Sequence, residues 1–265
     1  MARTSSHSSM KPDISLHRRV FSGSGVLVCK RMSVRKYLWI LLLLALACWI
    51  SGCGGGGGSS NPLEPSDNDY ILSALVDGHV VRWTEPIPVY LDTVNVPADW
   101  KQADVTFFQQ AATQWANASQ GKISFVYITS PVNPCVSVRW VKDHPMGEDP
   151  PTIGATRLTF AIIQNTQYIQ GVTMELAVDG ATGVPLSDNI MRLLSLHELG
   201  HAIGICGHSD DPNDLMYKSL ASQSGLSARD IATINRLYDL PADIYQMPAS
   251  KRGITPESTS SITMP

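Results

Sequence analysis

Two histidines one helical turn apart constrain the fold of this chain more than any other feature. His197 and His201 lie in the segment HELGH, within residues 188–204, where the spacing of apolar residues predicts a helix. Residues i and i+4 share one helical face, so both imidazoles can bind the same ion. Glu198 points to the neighbouring part of the helix surface, where it can hold a water without binding the ion. The pattern therefore predicts a helix that carries a metal site, with Zn²⁺ as the ion suited to imidazole ligands.

A catalytic zinc site uses three protein ligands and a water, and the next histidine along the chain can complete the set. Gly204, three residues after His201, can end the helix and turn the chain, and His208 follows it. Asp210 or Asp211 is the alternative third ligand, because a carboxylate also binds Zn²⁺. The sequence therefore predicts a three-ligand zinc site that begins on one helix and ends in the loop after it.

At this point the sequence resembles the metzincin zinc peptidases, and most closely the bacterial members of their matrixin branch. The family pattern is His-Glu-x-x-His-x-x-Gly-x-x-His, followed by a turn with a methionine beneath the metal. Five positions match this pattern directly: His197, Glu198, His201, Gly204 and Met216. The third family histidine would fall at Gly207, and here His208 comes one residue later. Because an insertion in a loop costs little free energy, we expect His208 to remain the third ligand.

The resemblance covers roughly residues 80–240 and implies a fold, a reaction and a cofactor. The implied fold is an α/β (α+β) metzincin-like zincin domain, with one mixed twisted sheet, three main helices and an active-site helix that ends at a glycine turn. The implied activity is that of a zinc-dependent endopeptidase, in which Glu198 is the general base for a metal-activated water. Met216 would form a hydrophobic floor under the ligands. The strand predicted at 172–178 would be a sheet edge that pairs with an extended protein or peptide substrate.

The hydrophobic pattern outside the zinc segment predicts the same mixture of elements. Apolar residues recur at helical spacing over 98–119 and again after Ser227, a suitable N-cap. Two β-branched and aromatic runs, at 123–128 and 136–141, are typical of strands. We therefore assign residues 67–241 to the catalytic domain. Residues 242–265 are rich in Pro, Ser and Thr, which predicts a disordered tail.

The amino-terminal segment has the pattern of a lipoprotein signal peptide. Thirteen uncharged residues at 38–50 follow a basic flank, and they are too few for a membrane-spanning helix, which needs about 20. The tetrad ISGC that ends at Cys53 resembles a bacterial lipobox, in which the cysteine is acylated. We predict a signal peptide at 32–53, lipidation of Cys53 and a flexible Gly/Ser tether at 54–66. An ordinary secretory signal or an uncleaved anchor is the alternative.

The distribution of charge follows this division. Residues 1–53 carry a net charge of +7 and residues 54–265 a net charge of −10, which together give the −3 of the whole chain. We interpret residues 1–31 as an over-extended amino terminus, with the true start at Met32. The mature chain would then be acidic, which excludes a strongly basic nucleic-acid binder and leaves the lipid as its attachment to the membrane. We expect a monomer at the bacterial cell envelope, on the outer membrane where the cell has one, or outside the cell.

Four further hypotheses stay open at this stage. Cys135 and Cys206 could form a disulfide outside the cytoplasm or remain two buried thiols, and their spacing does not decide between these. The Asp-rich segment 209–214 could bind Ca²⁺ or be an ordinary polar turn. The alternative to the active endopeptidase is a catalytically silent, zinc-binding surface or adhesion lipoprotein of the same fold, and the late position of His208 is the one sequence feature in its favour. A zinc hydrolase of non-protein amides is a further alternative.

Overall fold

The computed structural model describes residues 63–142, 146, 152–221 and 223–265. The chain divides into two units, Met1–Gly58 and Ser59–Pro265, and all described residues belong to the second. The predicted start at Met32, the signal peptide with Cys53 and most of the tether therefore lie outside the described residues. Within the described ranges, no helix has both the length and the apolar character needed to cross a bilayer.

One mixed sheet of eight strands forms the framework of the described domain. Its strands are β1 (Val81–Arg82), β2 (Ile87–Asp92), β3 (Phe125–Ile128), β4 (Val136–Val141), β5 (Gly154–Ile163), β6 (Thr166–Ala177), β7 (Ile244–Gln246) and β8 (Ser258–Met264). Neighbours in the order β1-β7-β6-β4-β2-β3 are parallel. β5 is antiparallel to β6 on one side and to β8 on the other. The sheet therefore ends, on the β5 side, in three antiparallel strands.

Four α-helices accompany this sheet in the described part of the chain: α1 (Ile71–Ala74), α2 (Gln102–Ala118), α3 (Asp188–Ala202) and α4 (Ala228–Asp239). Serine caps explain where two of them begin. The hydroxyl of Ser187 accepts from the backbone N–H of Ile190 at the start of α3, and Ser227 forms a reciprocal capping box with Asp230 at the start of α4. The predicted fold class, one mixed sheet with three main helices, is confirmed.

Two buried tryptophans fasten α3 to the rest of the domain. The Trp115 indole on α2 donates a hydrogen bond to the carbonyl of Leu196 at 2.8 Å, and the Trp83 indole donates to the carbonyl of Ala202 at 2.9 Å. Both side chains are almost fully buried. Because a buried indole N–H needs an acceptor, each ring both fills the core and fixes one point of the helix. α3 is thereby held in its middle and at its carboxyl end.

The prediction of a disordered tail at 242–265 is wrong. The segment contains β7, a 3-10 turn at Ala249–Lys251 and β8, and Met264 is buried in the main core. Its Ser- and Thr-rich composition hid this order, because β-branched threonine suits a strand that pairs along a sheet edge. The domain also begins before residue 67, since Leu63 packs against the core and the carbonyl of Glu64 accepts a hydrogen bond from Arg236.

The prediction that the strand at 172–178 forms a sheet edge is also wrong. That segment belongs to β6, which pairs with β5 on one side and with β4 and β7 on the other. The antiparallel strand on the outer side of β6 is β5, and β8 in turn covers the outer side of β5. The family resemblance had indicated that the strand directly before the active-site helix, which is β6, is the edge strand. In the structure, the hairpin places β5 further from the centre of the sheet than β6.

Candidate active site

The three histidines predicted as metal ligands lie together. His197 and His201 come from α3, and His208 comes from the loop that follows it. One potential ligand atom from each residue lies within 4.8 Å of the other two, and these three form the metal-binding group found among the described residues. The ring centroids are separated by 4.9 to 5.4 Å. This spacing suits three imidazoles that surround one ion.

Backbone carbonyls orient two of these rings. Nδ1 of His197 lies 2.7 Å from the carbonyl oxygen of Leu215, and Nδ1 of His201 lies 2.6 Å from that of Ile205. A carbonyl only accepts, so each Nδ1 carries the proton and each Nε2 has a free lone pair. Nε2 of His201 and Nε2 of His208 are buried without a hydrogen-bond partner. Buried nitrogens left open in this way fit a Zn²⁺ ion as their missing partner.

Burial also keeps the imidazoles in the state that binds a metal. It lowers the pKa of His197 to about 4, and the neighbouring His208 adds to this, while the bond to the Leu215 carbonyl opposes it. The pKa of His201 is likewise well below its ordinary value because of burial and the other two rings. Burial lowers the pKa of His208 too, against a backbone contact with Pro265 that raises it. The three rings are therefore neutral near pH 7, as metal ligation requires.

Two glycines allow the chain to reach His208 from the end of α3. The helix ends at Ala202, and Gly204 follows with φ +117°, a conformation that glycine adopts without strain. A Cβ on Gly207 would lie 2.0 Å from the carbonyl oxygen of Ser73. Gly207 is therefore needed for this close approach to the backbone at α1, and the extra residue before His208 is accommodated in the loop.

The alternative third ligands, Asp210 and Asp211, face an arginine. Arg229 on α4 contacts Asp210 at 3.0 Å, Asp211 at 3.8 Å and Asp214 at 3.0 Å. The Asp-rich segment proposed for Ca²⁺ thus surrounds a guanidinium group, which supplies the positive charge that a cation would. The structure gives no support for calcium there.

A turn that contains Met216 lies beneath the histidines. Met216 is fully buried, and a Cβ on Gly200 of α3 would lie 2.4 Å from its Sδ atom. The methionine therefore packs directly against the helix face that lacks a side chain. The preceding residue, Leu215, supplies the carbonyl that orients His197. The turn thus supports the site through packing and through one hydrogen bond.

Asp230 holds this turn in place, a role that the sequence analysis missed. Its buried carboxylate accepts hydrogen bonds from the backbone N–H groups of Leu215 at 2.8 Å and Met216 at 3.3 Å, and from the Tyr70 hydroxyl at 2.6 Å. The sequence indicated only its capping role with Ser227. Nothing local in the sequence points to the other contacts, because Tyr70 is 160 residues away along the chain.

Glu198 lies beside the histidines and is itself buried, with 1% of its surface exposed. The Thr156 hydroxyl on β5 donates a hydrogen bond to Glu198 Oε2 at 2.7 Å. Burial raises the pKa of Glu198 to about 8, and the hydrogen bond from Thr156 acts in the opposite direction. Thr156 is a second residue that sequence reasoning missed, since a threonine within a strand carries no functional signal of its own.

A cavity of about 570 Å³ gives access to this group. Glu198, His197 and His208 line it, together with Gly154 at the start of β5 and Pro265. The backbone at Gly154 approaches closely, since an added Cβ there would lie 2.3 Å from Glu198 Oε1. The site is therefore a carboxylate and three imidazoles at one end of strand β5, open to a ligand.

Of the two alternatives left open for Cys135 and Cys206, the structure shows two buried free thiols and not a disulfide. Cys206 contacts the carbonyl of Gly204 at 3.4 Å, and burial raises its pKa to about 12. A thiol with so high a pKa stays protonated and unreactive. Cys206 therefore contributes to packing near the third histidine rather than to a covalent brace.

The zinc metallopeptidase class is defined by this combination of fold and site. A helix beside a mixed sheet presents two histidines and a glutamate, and the following loop adds a third histidine above a turn that contains a methionine. Comparison with protein families gives the particular family: the matrixin model, a peptidase family, matches residues 83–239. The chain belongs to the matrixin family. This membership supports a metallopeptidase in general and implies a catalytic zinc ion. A search of curated protein sequences finds no match.

Proposed function

We propose that this protein is a zinc-dependent endopeptidase that hydrolyses peptide bonds in proteins and is anchored to the bacterial cell surface by a lipid on Cys53. The observation that carries the enzymatic part is the arrangement of three imidazoles around one point, with the buried Glu198 carboxylate beside them and a cavity in front. Family membership supports the same reaction class.

The three histidines would hold the ion through their Nε2 atoms, since the Nδ1 atoms of two of them bind carbonyls. Bound zinc supplies Lewis acidity, which polarises a peptide carbonyl and makes a water more acidic. Neutral ligands suit this chemistry because they leave the positive charge of the ion undiminished.

Glu198 is the proposed general base. Thr156 holds its Oε2 atom, and its Oε1 atom lies against the backbone at Gly154. A pKa near 8 is that of the buried group without a cation, and a nearby positive charge favours the carboxylate form and lowers the pKa. The carboxylate takes a proton from the attacking water and then gives it to the leaving amine.

The substrate is proposed to bind as an extended strand. β5 begins at Gly154 beside Glu198, so a peptide that takes the place of β8 on the outer side of β5 would pass the site. Main-chain hydrogen bonds along a sheet edge recognise extended peptides of many sequences. This geometry favours a protein or peptide substrate over a small amide.

The test of the enzymatic part combines metal content with cleavage. Purified protein is expected to contain one zinc ion per chain, to cleave casein, to lose activity with a chelator and to regain it with added Zn²⁺. The matched control is Glu198→Gln, which keeps the shape of the side chain and the contact with Thr156. We expect it to retain zinc and to lose activity by about 10²- to 10⁴-fold. Bound zinc without cleavage in the unaltered protein would favour the silent surface lipoprotein instead.

The anchor is tested separately by metabolic labelling with a fatty-acid analogue. The Cys53→Ala variant is expected to lose the label and to leave the membrane fraction. The matched control is Cys48→Ala, which removes a cysteine from the same predicted signal peptide, at a poorer match to the lipobox, and is expected to remain labelled. Equal labelling of both variants would contradict lipidation at Cys53.

A further inference from the structure

Strand β8 takes the hydrogen-bonding edge of β5 that a substrate strand would need. The two strands are antiparallel and in register over seven pairs, from Thr156 with Met264 to Ile162 with Ser258. β6 occupies the other side of β5. A strand edge carries one row of free N–H and C=O groups, so it pairs with one partner at a time. While β8 is in place, an extended peptide cannot pair with Thr156–Ile162.

The end of β8 leads directly into the catalytic cavity. Met264 is the register partner of Thr156, the residue whose hydroxyl binds Glu198. The next residue, Pro265, lines the cavity together with Glu198 and His208, and its backbone contacts the His208 ring. β8 therefore follows the path that the first half of an extended substrate would follow, and its last residues occupy space next to the proposed metal ligands.

Few side chains hold β8 in this position, and they lie at its cavity end. Met264 is buried in the core, Ile262 packs against the core, and the Thr263 hydroxyl accepts a hydrogen bond from Arg157 Nε at 2.9 Å. The side chains of Ser258, Thr259, Ser260 and Ser261 are all exposed. The strand is thus attached mainly through its backbone pairing and three side chains.

We propose that β8 and Pro265 act as a built-in competitor of the substrate, so that the peptidase is autoinhibited until this strand leaves β5. The inference rests on the proposed peptidase function of the same site. A tethered strand acts at an effective concentration of the order of millimolar, so even a weak pairing keeps the edge occupied. A substrate or partner that displaces the strand, or a cut before Ser258, would activate the enzyme.

The first test compares two carboxylate substitutions in the full chain. Met264→Asp places a charge at a buried anchor of β8 and is expected to raise kcat/KM on an extended peptide by about tenfold, because the occupied fraction of the edge falls. Ser260→Asp adds the same charge to the same strand at an exposed position and is expected to stay within about twofold of the unaltered protein. Zinc content and melting temperature are measured on both. Measurable and equal activity of all three proteins would overturn the proposal.

The second test uses a reversible cross-link and does not require Met264→Asp to fold. Thr159 and Ser261 are register partners away from the histidines, and the double variant Thr159→Cys with Ser261→Cys can join the strands by a disulfide. We expect the oxidised protein to be less active than the same protein after reduction, whereas reductant leaves the unaltered protein unchanged. Cleavage that does not change on oxidation would overturn the proposal.

A binding measurement separates failure of this inference from failure of the proposed function. A fluorescent peptide with the sequence of residues 258–265 is added to Met264→Asp and to the oxidised cross-linked protein. Binding of the peptide to Met264→Asp and not to the cross-linked protein supports displacement of β8. If this binding is seen and no variant cleaves any substrate, only the proposed peptidase function fails. Equal binding, or none to either, overturns the inference.

Discussion

A single methyl group at Gly154 should disable the site without touching a metal ligand. An added Cβ there would lie 2.3 Å from Glu198 Oε1, 2.8 Å from its Cδ and 2.6 Å from Leu194 Cδ1. The backbone of Gly154 does not need glycine for its conformation, since its φ lies outside the left-handed region. Gly154→Ala therefore tests the position of the carboxylate rather than the freedom of the backbone.

The expected loss follows from how far the carboxylate must move. Ordinary contact between a methyl carbon and an oxygen begins near 3.4 Å, so Oε1 must shift by about 1 Å to relieve the overlap. Thr156 resists this movement by holding Oε2 at 2.7 Å. A misplacement of about 1 Å at a reacting group costs about 10²-fold in rate, or about 2.7 kcal/mol of transition-state stabilisation. Overpacking adds a stability cost of about 1–3 kcal/mol.

The assay measures kcat/KM on a peptide substrate together with zinc content and melting temperature. Gly154→Ala is expected to bind zinc fully and to lose about 10²-fold in kcat/KM. Gly180→Ala is the matched control, because the nearest atom to its added Cβ is 4.0 Å away. A Gly154→Ala protein with activity within twofold of the control would refute the argument that Glu198 must occupy its observed position.

Three further predictions concern stability, thiol chemistry and pH. Asp230→Asn should lower the free energy of unfolding by about 2–4 kcal/mol and reduce zinc occupancy, because the amide NH₂ replaces an oxygen that accepts from N–H and O–H donors. Calorimetry measures the change in stability, and Tyr70→Phe is the milder control. An unchanged melting temperature of Asp230→Asn would contradict this prediction. Cys135 and Cys206 should react with iodoacetamide once the protein is unfolded, without any need for a reductant, and should not react in the folded protein. Mass spectrometry maps the alkylated positions, and a requirement for reductant would restore the disulfide hypothesis. In the metal-free protein the folded pKa of Glu198, about 8, exceeds its unfolded value of 4.5, so this group costs stability as pH rises above 4.5. The free energy of unfolding of metal-free Glu198→Gln should therefore exceed that of the metal-free unaltered protein by about 4 kcal/mol at pH 8, and the difference should vanish near pH 4.5. A difference that does not depend on pH would show that burial of the carboxylate is not its cause.

Features with a local cause could be predicted from the sequence. The active-site helix was expected over residues 188–204 and is observed as Asp188–Ala202, because its cap, its apolar spacing and its terminator are all contained in that segment. The same holds for the helix expected over 98–119 and observed as Gln102–Ala118. The grouping of His208 with the other two histidines was anticipated from the family resemblance, although the shift by one residue left its position open.

Features that depend on distant contacts could not be predicted in this way. Thr156 and Asp230 act on the site through residues 42 and 14–15 positions away, and neither has a spacing that marks it. The wrong member of the β5–β6 hairpin was taken as the outer strand, because the two strands have similar composition. The pairing of β6 with β4 shows that β6 lies inside the sheet and that β5 is the outer strand of the hairpin, next to β8. Composition likewise suggested disorder at 242–265, where order comes from a partner strand about 100 residues earlier.

Two of these long-range contacts meet at one residue, Thr156. Thr156 donates a hydrogen bond to Glu198 and is at the same time the register partner of Met264, so the carboxylate proposed as general base and the end of β8 share a neighbour on β5. A substrate strand that replaces β8 would therefore pair with the same backbone that positions the general base. Under the proposed inhibition, productive binding of a substrate and release of β8 would be one event, because both require the outer edge of β5 at Thr156. A strand with mostly exposed side chains would then control access to a buried site through its backbone pairing.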